Sequence, residues 1–218
     1  MDENAAERLL RETDDFKGAQ HLVDVEGMST VRHCVFLNRL VAAMDPKECY
    51  LEIGTWKGRT LISAAHGNRG RKCIGCDKFR FWGRWTGWGH VARRAFYANL
   101  ERYRSECADI QFHELPSRKL FGRGLVPSPV GVYFYDGDHT YSGTVHGVVA
   151  CSRLLAPKSL LLMDDWNDPV ICQATMEGIR QAGLQILWER VLEGEIADPD
   201  GFSDGLAVFW LASTSAGA

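Results

Sequence analysis

The chain has 218 residues, 45% of them hydrophobic and 24% charged, which suits one globular domain with a proper core and excludes a disordered or fibrous chain. Its 25 Lys and Arg against 28 Asp and Glu give a formal charge of −3, so nothing in the overall balance attracts nucleic acid or an anionic membrane. The apolar runs fall well short of a membrane span, the acidic start lacks the basic-then-apolar order of a secretory signal, and the seven cysteines sit mostly inside apolar runs, as reduced thiols of a cytoplasmic protein do. Cys73 and Cys76 form a lone CxxC with no second pair to complete a zinc site, and residues three apart on a strand face opposite sides, so the pair reads as structural.

Residues 3–22 carry Leu9, Leu10 and Phe16 among charges and predict a helix, broken by Gly27 and Ser29. Val31 to Met44 predicts a stronger one, with Phe36, Leu37, Leu40 and Val41 largely on one face and Asp45-Pro46 as its stop. Residues 1–45 are expected to form a helical cap on a single domain over 46–212, with a flexible tail at 213–218. Residues 49–60 then read as strand, glycine turn and helix: Cys49, Tyr50, Leu51 and Ile53 are the strand, Gly54 and Gly58 the turn, and Leu61 to Ala65 belong to the helix. Such a turn aims backbone N–H groups and a helix N-terminus at a ligand above the strand, which suits an anion or a nucleotide-like molecule.

Lys72 to Asp77 is a second strand ending in an acid, and the interval from Gly54 to Asp77 is the length of one strand-helix-strand unit. Lys78 to His90 has neither helical nor strand period; its Phe79, Phe81, Trp82, Trp85 and Trp88 make a loop that lids a ligand, meets a second copy in a homodimer, or caps the sheet. Between Arg69 and Arg94 eight Lys or Arg stand against the single acid Asp77, a patch fit to steer a phosphorylated substrate, a carrier protein or RNA, or simply a solvated surface. A helix over Val91 to Arg104, a strand over Asp109 to Leu115 and a helix over Ser117 to Leu125 follow. Next come a strand over Val130 to Tyr135, a helix over Ser142 to Leu155, a strand over Ser159 to Met163, a helix over Val170 to Gln181, and strands over Leu184 to Val191 and Gly205 to Leu211. The alternation predicts an α/β, doubly wound, mostly parallel sheet with the site at the C-terminal ends of its strands.

Asp136, Asp164 and Asp165 stand at two such ends. If those strands are neighbours the acids converge, and converging carboxylates need a cation or must take up protons. All-oxygen ligands fit Mg²⁺, Mn²⁺ or Ca²⁺; the competing reading is that the acids cap the helices that follow. His139 lies among these acids and can take a proton from a hydroxyl, the more easily if a metal lowers that hydroxyl's pKa. Asp77 suits a ribose diol, whereas GxxxG at Gly54 and Gly58 is not the GxGxxG of a nicotinamide site. An oxidoreductase on the same topology, a metal-dependent hydrolase, and a protein that keeps the nucleotide pocket but only binds or catalyses a different step remain as rivals.

Glu52-Ile53-Gly54-Thr55-Trp56-Lys57-Gly58-Arg59-Thr60 resembles the first motif of class I S-adenosylmethionine (SAM) dependent methyltransferases. Asp136-Gly137-Asp138-His139-Thr140-Tyr141 with Leu162-Met163-Asp164-Asp165-Trp166 resembles the small metal-dependent O-methyltransferases of antibiotic biosynthesis, including macrolide-sugar O-methyltransferases. The resemblance implies a Rossmann-like sheet of seven strands with an antiparallel last strand and helices on both faces. It implies SAM contacts from Gly54, Thr55 and Gly58, support of that turn by Glu52 and Thr60, ribose binding by Asp77, and adenine beside Ser117. Asp136, Asp164 and Asp165 would hold a divalent metal, Mg²⁺ first, with Asp136 also facing the cofactor, and His139 would be the general base toward a small-molecule hydroxyl. The acidic segment Glu193 to Asp204 either meets an amine-bearing acceptor or is a solvated loop.

Overall fold

The computed structural model describes residues 7–9, 11, 24–79, 88–127, 129–194, 198 and 200–213. Most of the helix expected over 3–22, the core of the aromatic segment and all but the first residue of the tail lie outside them. In chain order the elements are α1 (Val31–Ala43), β1 (Cys49–Ile53), α2 (Arg59–Ala65), β2 (Lys72–Asp77), α3 (Trp88–Tyr103), β3 (Asp109–Glu114) and α4 (Ser117–Gly122). They continue with β4 (Val130–Tyr135), α5 (Tyr141–Ser152), β5 (Leu155–Asp164), α6 (Pro169–Gln181), β6 (Leu184–Leu192) and β7 (Leu206–Ser213).

The strands form one seven-stranded sheet in the order β3-β2-β1-β4-β5-β7-β6. Pairings among β3, β2, β1, β4 and β5 are parallel, and β7 runs antiparallel to both β5 and β6. β1 and β4 are buried along their whole lengths, which is why they read as unbroken apolar runs: helices cover both faces. Alternate side chains divide between two cores. Tyr50, Val132, Phe134, Leu160, Leu162 and Trp210 pack with Phe36, Leu40, Leu61 and Phe96 of α1 to α3. Leu51, Ile53, Tyr133, Tyr135, Leu161 and Met163 pack with Leu120, Val148, Cys151 and Ile171 of α4 to α6. Cys73 and Cys76 fall into different cores, and all seven cysteines are free.

Several boundaries differ from the sequence reading, among them the end of α4, which stops at Gly122 and not at Leu125. The helix expected from Val91 begins at Trp88. The helix expected to run to Leu155 ends at Ser152, and β5 starts at Leu155 and passes through Pro157. A proline cannot donate to a ladder, and here the pairing with β4 jumps from Val130↔Leu155 to Val132↔Leu160. The bulged residues take up Pro157 before regular pairing resumes.

Helix α1 opens on Thr30, whose side chain accepts from His33 N at 3.2 Å. The His33 ring is fully buried, with neither ring nitrogen bonded, and it meets Phe134 edge-on with the ring centroids 5.1 Å apart. Burial lowers its pKa to about 4, because nothing inside compensates an imidazolium. The unfolded chain takes up a proton near pH 6.5 and the native protein does so only near 4, so this site contributes stability above 6.5 that is lost as pH falls between those values. Urea titrations of wild type and His33→Leu at pH 7 and pH 4 are expected to show a loss that is smaller in the variant by about 3 kcal/mol.

Candidate active site

The strand order reverses between β1 and β4, and the turn that leaves β1 at this point is built around glycine. Gly54 has φ 89°, and a Cβ there would lie 1.6 Å from the Asp136 carbonyl oxygen. Only a residue without a side chain lets the two strand ends approach so closely. Gly58, at φ 88°, starts α2, and a Cβ there would press on Phe96 at 3.0 Å; its glycine is required by the backbone and by α3, away from the cleft. Thr55 N and Trp56 N donate to Asp77 Oδ2 at 3.0 and 2.8 Å, and Phe79 N donates to Asp77 Oδ1 at 2.6 Å. Asp77 therefore ties the turn to the end of β2 while lining the cleft.

Glu52 lies under the turn with no exposure, accepting from Tyr50 OH at 2.5 Å and Thr60 Oγ1 at 2.7 Å. Burial raises its pKa to about 8 against the pull of those two hydroxyls. It acts on the turn from within the core.

The acids converge as the order of strands requires, since β4 and β5 are neighbours. His139 Nε2 is 3.0 Å from Asp165 Oδ2 and 3.7 Å from Asp136 Oδ1. One ligand atom from each of Asp136, His139 and Asp165 falls within 4.8 Å of the other two. Asp164 lines the same cleft, and its buried Oδ1 has no hydrogen-bond partner. Burial, and then the charge of neighbouring acids, pushes Asp136 up to about 6 and Asp164 well above the usual carboxylate range; Asp165 is raised by burial too. The Asp136 carboxylate, joined by the charge of Asp165, raises His139 to about 9. Asp165 holds its carboxylate from a left-handed backbone, φ 55°, a conformation that non-glycine residues keep only where surroundings enforce it.

The capping alternative is overturned. Thr140 caps α5, accepting from Gly143 N, and Asp168 caps α6, accepting from Val170 N. Asp136, Asp164 and Asp165 are left for the cleft. An orphaned carboxylate oxygen among mutually repelling acids, with an imidazole within reach, is a donor set that fits a hard divalent cation.

The cleft has a volume of about 340 Å³. Gly54, Asp77, Ser117, Asp136, His139, Asp164 and Asp165 line it, with Ser117 the first residue of α4. Glu52, Thr55, Gly58 and Thr60 stand behind it, buried. The sequence reading gives no site role to Met28 and Ser29, which precede α1, to Ser203, or to Asp204 by itself, though all four form part of the wall. Asp204 falls in the acidic segment flagged above β7, but only the antiparallel insertion of β7 beside β5 brings it to the acids.

A sheet in this order with β7 reversed, and a glycine turn and acid at the ends of β1 and β2, is the architecture of class I SAM-dependent methyltransferases. Residues 51–166 match the methyltransferase-domain family, and the chain belongs to it. Among solved structures it is similar to an O-methyltransferase from Bacillus cereus in complex with SAH, at 16% identity and TM-score 0.55, over 96% of this chain and 92% of that one. It is also similar to the O-methyltransferase TomG of Streptomyces achromogenes, involved in tomaymycin synthesis and in complex with SAM, at 14% identity and TM-score 0.55, over 97% and 91%. The O-methyltransferase NovP matches at 13% identity and TM-score 0.59, over 83% and 79%. Comparison with curated protein sequences finds no match. No helix among the described residues is long and apolar enough to cross a membrane.

Because Asp164 is repelled by Asp136, Asp165 and Asp204 and holds an unpartnered oxygen, Asp164→Asn is expected to stabilise the protein in EDTA by about 1 kcal/mol, raising Tm by about 2–4 °C at pH 8. The gain should vanish near pH 3, where the acids are protonated in both proteins; a destabilised variant at pH 8 would contradict the repulsion.

Proposed function

We propose that the protein transfers the methyl group of SAM to a hydroxyl oxygen of a small molecule, aided by a divalent metal, with His139 as the general base. The observation that carries this reading is the meeting of Asp136, His139 and Asp165 beside the glycine turn. On this reading the turn at Gly54 faces the methionine end of SAM, Asp77 the ribose and Ser117 the adenine, with Thr55 holding the turn to Asp77 and Glu52 and Thr60 bracing it from below.

Methyl transfer from a sulfonium is an in-line displacement: the acceptor oxygen forms a bond to the methyl carbon as the carbon–sulfur bond breaks, leaving SAH. Holding acceptor and donor in line supplies much of the acceleration. On this reading His139 receives the hydroxyl proton, and the Asp165 and Asp136 carboxylates, 3.0 and 3.7 Å from its Nε2, favour the imidazolium so formed. Asp136, Asp164 and Asp165 would hold a divalent ion, which when bound acidifies a hydroxyl and offsets the negative charge that keeps His139 protonated.

Calorimetry with SAM, with and without Mg²⁺ and EDTA, tests the reading: SAM is expected to bind, and Mg²⁺ to bind the wild type but not Asp164→Ala with Asp165→Ala. A protein that does not bind SAM ends the proposal. His139→Ala is expected to lower kcat by about 10²–10⁴-fold while leaving SAM affinity within about twofold; full activity in the variant would remove the base. In the metal-free protein, NMR titration of His139 should give a pKa near 9, and Mg²⁺ should lower it.

A further inference from the structure

Resting on the reading of this cleft as a methyl-transfer site, we propose that Met28 and Asp204 select the acceptor, and that the acceptor is a hydroxyl-bearing ring carrying a protonated amine. The two ends of the cleft differ in charge. Its described Lys and Arg, Lys78 and Arg118, line the end where Asp77 and Ser117 stand, and their charges act on Asp138. At the other end stand Asp136, Asp164, Asp165 and Asp204. One divalent ion and the His139 imidazolium still leave that end negative.

Asp204 sits directly before β7, and β7 pairs Leu206 with Asp164. It is therefore held beyond the acids of β5, on the side away from the glycine turn. Its charge reaches Asp164 and Asp165, and among the described residues no cation pairs with its carboxylate. Its backbone is fixed, because the carbonyl accepts from Asn167 N at 2.9 Å. An unpaired carboxylate in the cleft wall is a recognition element for an ammonium group and repels a carboxylate or phosphate.

Met28 supplies the apolar half. Residues 24–30 cross the cleft as a strap tied at both sides. Glu26 pairs with Lys57, Arg59 Nη1 donates to Val25 O at 3.3 Å, Thr30 Oγ1 donates to Gly201 O at 2.7 Å, and Ser203 Oγ donates to Met28 O at 3.3 Å. At Gly27 the strap lies so close to α2 that a Cβ would be 2.6 Å from that of Arg59. Held this way, the Met28 side chain lines the cleft yet is 69% exposed. A tethered, exposed thioether beside a polar site is a ready surface for a ring face.

The test uses three probes with one ring and one pair of hydroxyls: dopamine, 4-methylcatechol and 3,4-dihydroxyphenylacetate. SAM is titrated first; its failure to bind removes the methyl-transfer reading and this proposal together. Calorimetry of the SAH- and Mg²⁺-loaded protein is then expected to rank the probes amine, neutral, acid, with about tenfold or more between the extremes. Asp204→Asn should bring the amine to within about threefold of the neutral probe, with SAM and Mn²⁺ affinities unchanged. Met28→Ala should weaken all three by about fivefold without changing their order, and Met28→Leu should restore them. Equal binding of amine and acid, no binding of any probe while SAM binds, or loss of Mn²⁺ affinity in Asp204→Asn would each overturn the assignment.

Discussion

The structure depends on one close approach. Where β1 and β4 part, Asp136 N donates to Ile53 O at 2.8 Å, and the Asp136 carbonyl occupies the space a side chain at Gly54 would need. On the other side Gly54 N donates to Cys76 O of β2 at 2.9 Å. The exit of β1 is thereby stitched to both neighbouring strands, and the turn, the end of β2 and the first acid of β4 are fixed relative to one another. Any residue with a Cβ at Gly54 would force these strands apart and separate the glycine turn from the acids.

Around this junction the fold concentrates carboxylates where they are least comfortable. Asp136, Asp164 and Asp165 lose hydration, repel each other and are only partly compensated by His139. Close like charges in a desolvated site cost free energy that hydrophobic packing elsewhere must offset. Two buried cores, one on each face of the sheet, supply that packing. The same arrangement leaves the acids unspent, because Thr140 and Asp168 cap α5 and α6 in their place.

The buried Glu52 shows how the turn is held from inside. With Tyr50 and Thr60 as its donors it links β1 to α2 beneath the glycines, so its role is bracing. Asp77 does the corresponding work from above, accepting three backbone N–H groups from the turn and from Phe79. The geometric task of an acid at this position is met by the protein alone.

Much of this was legible in the order of residues. Alternating apolar runs and helical periods disclose the strands and helices, because burial on both faces demands continuous hydrophobicity in β1, β4 and β5. The strand-end positions of Asp77, Asp136, Asp164 and Asp165 follow from the same pattern. Other features depended on contacts between distant segments. Pro157 enters a strand because a bulge against β4 absorbs it, Gly58 is required by Phe96, and the strap at 24–30 meets residues 201–203. Asp204 joins the acids only because β7 inserts antiparallel beside β5. Sequence by itself determined the class of sheet and the chemical types along its edge, since periodicity and turn residues are local. Which carboxylates face one another, which merely cap a helix and which side chains wall the cleft were decided by tertiary structure, because those are distances across strands that no local pattern records.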